Sequence, residues 1–160
     1  MPQLVKGGKY TYGWSRVDSS GAVLIPPEAM AEYGFKNGQK VILFNGSRRS
    51  GGFCIARPEI FTISPFTTIA QRIPELINYQ LPEGYPIKTG VRSFCWTTIN
   101  VQGVNLLSPA ALNEYGIKLL DTLLTIRGSN RALAFARQGP IIEEAGKHPE
   151  LPLFNTSSCD

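Results

Sequence analysis

Histidine, cysteine and long apolar runs are scarce in these 160 residues, and each shortage removes a class of function. The single histidine, His148, and three widely spaced cysteines, Cys54, Cys95 and Cys159, form no C-x-x-C or H-x-x-x-H pair, so no metal site is expected. An odd, unpatterned cysteine set implies no disulfide framework and fits a reduced, cytoplasmic chain. Cys54 and Cys95 sit in apolar, strand-like runs and read as small core residues. No apolar run approaches the roughly 20 residues of a membrane-spanning helix, so no membrane partner is expected. Met1-Pro2-Gln3-Leu4-Val5-Lys6 has neither the apolar stretch nor the cleavage site of a secretory signal. Aspartate occurs only at 18, 121 and 160, and no serine or cysteine has a nucleophile-elbow context. Neither a G-x-x-x-x-G-K-[ST] loop nor a G-x-G-x-x-G fingerprint is present. The expectation is a chain with no catalytic residues and no cofactor, and not an enzyme.

What is there is a repeat. Shifted by 82 residues, the first part of the chain falls on the second: Trp14 on Trp96, Gly21 on Gly103, Pro27 on Pro109, and Glu32-Tyr33-Gly34 on Glu114-Tyr115-Gly116. Gly46-Ser47-Arg48-Arg49 likewise falls on Gly128-Ser129-Asn130-Arg131, and a two-residue deletion then aligns Ala56-Arg57 with Ala136-Arg137. About a third of the positions from 14 to 49 are identical, which reads as duplication.

Each copy has the same outline. Residues 10–17 and 91–101 are rich in aromatic and β-branched side chains and read as strands. A glycine turn and a short apolar strand follow, then a brief helix with Pro27 or Pro109 at its first position, Ser108 as an N-cap, and Gly34 or Gly116 where it ends. Two further strands close the unit, and Asn45-Gly46 is a hairpin-turn signal between them in copy one. A unit of some 45 residues is too small to bury a core alone. The chain therefore divides into copy one (8–57), a partly helical connector (58–90), copy two (91–137), and a short acidic helix with a tail (138–160). The copies are expected to combine into one pseudo-symmetric barrel, mainly β with short helices.

The run Arg16-Val17-Asp18-Ser19-Ser20-Gly21-Ala22-Val23-Leu24-Ile25-Pro26-Pro27-Glu28, followed by Tyr33-Gly34-Phe35-Lys36-Asn37-Gly38-Gln39-Lys40-Val41, resembles the AbrB/SpoVT family. Copy two keeps the skeleton through Gly103, Pro109, Tyr115-Gly116-Ile117 and Asp121, but lacks the Val-Asp pair. The resemblance implies a swapped-hairpin β-barrel built from two tandem copies. It also implies a DNA-binding transcription regulator, since the family's best-known members are of that kind. In those members arginines on the first strand, after the turn glycine and on the short helix grip DNA. Here only Arg16 remains, with Ala22, Met30 and Ala31 at the other places in copy one.

Charge points the other way. Residues 1–57 hold eight Lys/Arg against three acids and 92–137 hold five against two, whereas the connector and tail are acidic. A basic body binds polyanions through counterion release. On this reading Lys9, Arg16, Arg48, Arg49, Arg127 and Arg131 contact the phosphates of double-stranded DNA. The alternative is a module for assembly or for an anionic ligand, held by Gly46, Ser47, Arg49, Gly128, Ser129 and Arg131. In such a loop glycine lets backbone N–H groups converge, serine adds a hydroxyl and arginine a bidentate fork. The plain reading of the same loops is two solvated hairpin tips. The sequence leaves open a homo-oligomer and a protein partner for the acidic C-terminal tail.

Overall fold

The computed structural model describes residues 9–156. The N-terminal hexapeptide and Cys159 lie outside the described residues. In chain order the first copy contains β1 (Thr11–Arg16), β2 (Ala22–Leu24), α1 (Pro27–Tyr33), β3 (Lys40–Asn45) and β4 (Phe53–Ala56). The connector holds a 3-10 turn (Pro58–Thr62), α2 (Thr67–Arg72), α3 (Pro74–Ile77) and β5 (Ile87–Thr89). The second copy repeats the first order with β6 (Arg92–Thr98), β7 (Val104–Leu106), α4 (Pro109–Glu114), β8 (Thr122–Arg127) and β9 (Ala132–Ala136). After it come α5 (Pro140–Ala145) and β10 (Leu153–Phe154). The chain is mainly β with short helices.

Local chemistry sets the helix limits. The Ser108 hydroxyl accepts the Ala111 N–H at 3.0 Å, and Pro109 opens α4 where its missing N–H costs nothing. Gly34 (φ 68°) and Gly116 (φ 69°) take the left-handed conformation that ends each helix. The turn after each first strand is built by an equivalent side chain. An Asp18 oxygen accepts the Ser20 and Ala22 N–H groups at 2.8 and 3.0 Å, and an Asn100 oxygen accepts those of Gln102 and Val104 at 2.7 and 3.1 Å.

The pairing interleaves the two copies. β1 runs antiparallel to β8 of the other copy with Trp14 opposite Leu124, and β6 runs antiparallel to β3 with Trp96 opposite Ile42. Shifting either register by 82 gives the other. β2 and β7 pair with each other, Val23 opposite Asn105, and β4 and β9 pair at the centre with Cys54 opposite Ala134. A pseudo-two-fold axis therefore passes by Cys54 and Ala134.

The expected closed barrel is not formed among the described residues. The large sheet has eight strands in the order β10-β1-β8-β9-β4-β3-β6-β5, with β2 and β7 a separate ribbon. The outer edges of β1 and β6 are occupied by β10 and β5, which come from the tail and the connector. Trp14 and Ser15 of β1 and Arg92 to Phe94 of β6 are thereby paired outward, and those stretches are not available to close the sheet. The connector and tail thus hold strands as well as helices.

Strand alternation sorts side chains to two faces. Val41, Leu43, Phe53, Ile55, Leu133 and Phe135 join the helices and the β2–β7 ribbon in the main core. Phe53 and Phe135, direct cross-strand partners, stack at 4.7 Å, an arrangement worth about 0.5–1.5 kcal/mol beyond burial. On the other face the connector packs over Ile42, Phe44 and Phe94, and α5 packs over Leu124, Ile126 and Ala136. Trp96 and Trp14 lie half-buried on this second face under those two appendages.

Candidate functional site

Between the two appendages the second face of the sheet is not filled. At its centre the side chains are small, Cys54 on β4 and Ala132, Ala134 and Ala136 on β9. The connector stands on one side with Ile60, Ile63 and Phe66, and α5 stands on the other with Pro140, Ile141 and Glu144. A cavity of about 740 Å³ remains, within the range of small-molecule sites.

Both Gly-Ser-x-Arg loops reach it. Gly46, Ser47, Arg49, Gly128, Ser129 and Arg131 all line the cavity, joined by Lys9 and Arg92. β4 and β9 are antiparallel, so the loops 46–52 and 128–131 stand at opposite ends of the strand pair, related by the pseudo-axis. From the level of Phe53 to that of Ala56 is about 10 Å at ~3.3 Å per residue. Arg92 belongs to the end with Arg49, because β6 begins beside the top of β3, Phe94 opposite Phe44. Its guanidinium lies over the rings of Phe66 and Phe44, at 4.9 and 5.7 Å from their centres. Lys9 belongs to the end with Arg131, where its ammonium donates to the Gly128 carbonyl.

The loops are held by their own serines. The Ser47 hydroxyl accepts the Ser50 N–H at 3.1 Å, and the Ser129 hydroxyl accepts the N–H groups of Arg131 and Ala132 at 3.2 and 3.1 Å. Gly52 (φ 68°) lies so close to β9 that an added Cβ would fall 1.9 Å from the Phe135 carbonyl oxygen. The Ser50 carbonyl then accepts from Arg137 and Gln138 N–H at 2.8 and 2.9 Å. Tyr33 anchors the other loop, donating to the carbonyls of Ser129 and Ala132 at 2.7 and 3.0 Å. The Gly-Ser part of the motif therefore has a folding role, and the exposed arginine of each loop is the part it leaves unexplained. The Asn45-Gly46 turn signal does not place the turn. Asn45 is the last residue of β3, its amide bonded to Val91 and to Ser93 at the start of β6, and the chain reverses at 48–50, where the Gly51 N–H donates to the Ser47 carbonyl at 2.8 Å.

The six basic residues expected to bind DNA do not share one end. Arg16 closes β1 opposite Thr122, at the end of the sheet with Arg48 and Arg49, while Lys9, Arg127 and Arg131 lie at the other. Arg127 is also engaged: it pairs with Glu32 of α1 at 2.6 Å and lies over the Tyr10 ring. Hydrogen bonding with Tyr12 and Glu32 raises its pKa further, and the Tyr12 hydroxyl, which donates to Glu32, together with Arg127 holds that carboxyl below its ordinary range.

The described lining holds four cations, the polar side chains of Ser47, Ser50, Ser129 and Gln138, and a mainly apolar floor and walls. Its one carboxylate among the described residues, Glu144, is met by His148 Nε2 at 3.1 Å and by Lys147 at 3.9 Å. Burial pushes the Cys54 thiol up to about 12, so the cavity floor presents a neutral thiol rather than a thiolate. Among the described residues no group of three His, Cys, Asp or Glu is gathered to hold a metal ion, and no helix is long and apolar enough to cross a membrane. Arg92, Phe66 and the alanines of β9 escaped the sequence reading. The alternation Ala132-Leu133-Ala134-Phe135-Ala136 was the available signal, since it places three small residues on one face of a central strand.

No protein-family model matches the chain, and no curated protein sequence matches it.

Proposed function

We propose that this chain is a non-catalytic module that binds an anionic ligand between its two halves. The observation that carries the reading is the convergence of two loops, 82 residues apart in sequence, on a single cavity that each supplies with an arginine. The interleaved registers of β1 with β8 and β6 with β3 support a swapped-hairpin architecture of the AbrB/SpoVT type, formed here by tandem copies in one chain. In that architecture the central β4–β9 pair brings the two loops into relation across the axis.

A suitable probe is anilinonaphthalene sulfonate, an apolar anion that fluoresces when bound. The expected result is saturable binding to the native chain, with most of the affinity lost in R49Q/R131Q and no displacement by a duplex oligonucleotide. Absence of saturable binding under conditions where the chain is folded would refute the reading.

A second reading, a DNA-binding regulator, is favoured by the basic residues at both ends of the sheet. It has a separate signature in the salt dependence of duplex binding. Contact through all six predicted residues gives a log–log slope of about −5, and end-on contact through three gives about −3. A duplex that binds with either slope and is weakened equally by R16Q and R49Q would favour the regulator over the ligand module.

A further inference from the structure

We infer that the cavity takes an elongated dianion, an apolar chain with an anionic group at each end. The inference rests on the ligand-binding reading above and adds the shape and charge of the ligand. The pseudo-axis passes through the cavity floor at the Cys54–Ala134 pair. It relates one Gly-Ser-x-Arg loop to the other, so any anion-binding capacity at one end has a counterpart at the opposite end.

Arg49 and Arg131 follow that relation, and one further cation stands near each of them at a position that the 82-residue shift does not relate. Arg49 and Arg92 stand at the end where β3 turns into β4, and Lys9 and Arg131 stand where β8 turns into β9. Between them the floor offers Cys54 and Ala134, and the walls offer Ile60, Ile63, Ile126 and Ile141. No cation of the lining lies on β4 or β9 between the two ends. A small hydrophilic anion can satisfy one end only and would leave the apolar floor wet. A monoanionic amphiphile satisfies the floor and one end. A ligand with two terminal carboxylates on a methylene chain satisfies the floor and both ends, provided it spans at least the roughly 10 Å between the strand ends.

The test is displacement of anilinonaphthalene sulfonate from the native chain by octanedioate, dodecanedioate, dodecanoate, dodecanol and pyrophosphate. Dodecanedioate is expected to bind at least about ten-fold more tightly than dodecanoate, the gain of one further charge-assisted contact. Octanedioate, whose extended length of about 10 Å only matches the distance between the strand ends, is expected to lose most of that gain. R49Q and R131Q should each bring dodecanedioate down to the affinity of dodecanoate. Both side chains are exposed, so thermal unfolding should be unchanged in either variant. Ala134→Leu, which fills the floor, should abolish binding of all the acyl compounds.

Equal binding of dodecanedioate and dodecanoate would overturn the dianion inference and leave the anionic-ligand reading standing. Tight pyrophosphate with no acyl preference would do the same. Failure of every anion to displace or to bind would overturn both.

Discussion

Asp18 belongs to the Val-Asp pair of the motif that suggested DNA binding, and the structure gives it a different task that can be measured. One of its oxygens accepts two backbone N–H groups and the Ser20 hydroxyl, and the other accepts from Thr156. Burial works to raise its pKa, but the hydrogen bonds from Ser20, Thr156 and Ala22 outweigh it and hold the carboxyl down at about 2, against 3.8 for the free side chain. A group whose pKa is depressed by folding contributes stability above the unfolded value, and that contribution is lost as pH falls through the folded one. At about 1.4 kcal/mol per unit, the shift corresponds to at most about 2.4 kcal/mol, and partial exposure reduces it to about 1–2 kcal/mol. Stability should therefore fall by that amount between pH 4 and pH 2.

The chain carries its own control, because Asn100 fills the equivalent place in copy two with the same pair of backbone bonds and no charge. Asp18→Asn should keep the turn, cost about 1 kcal/mol at pH 7, and flatten the acid limb. Asp18→Ala should leave the turn N–H groups without their acceptor and cost about 2–3 kcal/mol. Urea unfolding followed by the fluorescence of Trp14 and Trp96, repeated from pH 2 to pH 7, reads both effects. If Asp18→Asn proved as damaging as Asp18→Ala and kept the same acid limb, the assignment of Asp18 as a turn-forming carboxylate would be wrong.

Three further outcomes can be checked. Gly52→Ala should destabilise the chain by more than about 2 kcal/mol in urea titrations, since its Cβ would meet the Phe135 carbonyl at 1.9 Å. Gly38→Ala, with a similar φ of 82° but nothing within 4 Å, should show only the ~1–2 kcal/mol of left-handed strain. Cys54 and Cys95, raised by burial to about 12 and about 11, should resist maleimide labelling at pH 8 in site-resolved mass spectrometry and react once urea is added. Hydrogen bonds to the Glu150 and Glu144 carboxylates raise the His148 pKa, so NMR titration should find it above the ordinary imidazole value, and Glu150→Gln should bring it down.

Much of the fold was legible in the sequence because its signals are local. Ser108-Pro109 opens α4, Gly34 and Gly116 end α1 and α4, and the aromatic and β-branched residues of 91–101 mark a strand. The edge strands were not legible. β5 has three residues and β10 two, too few to carry a period, and both exist only because β1 and β6 offer open edges. Those same strands are why the barrel reading failed. The loop arginines were identified as candidates, but their relation was not: it depends on the antiparallel register of β4 and β9 and on which face the connector and α5 cover. Arg92 was invisible for the same reason, as its partners Phe44 and Phe66 are far from it in sequence. Arg127 illustrates the opposite error, a cation that looked free and is committed to Glu32.

The interleaving of β1 with β8 and of β6 with β3 has a consequence for how this protein responds to dilution. Two separate chains exchanging strands in this way would come apart as their concentration falls. Here the connector keeps the partner strands at a fixed, high effective concentration, so the assembled state is insensitive to how much protein is present. It also removes the demand that both partners be the same. Asp18 can have Asn100 as its counterpart in the other copy, and one wall of the cavity can be a connector while the other is a terminal helix, so the two ends of a site on a pseudo-two-fold axis need not be lined alike.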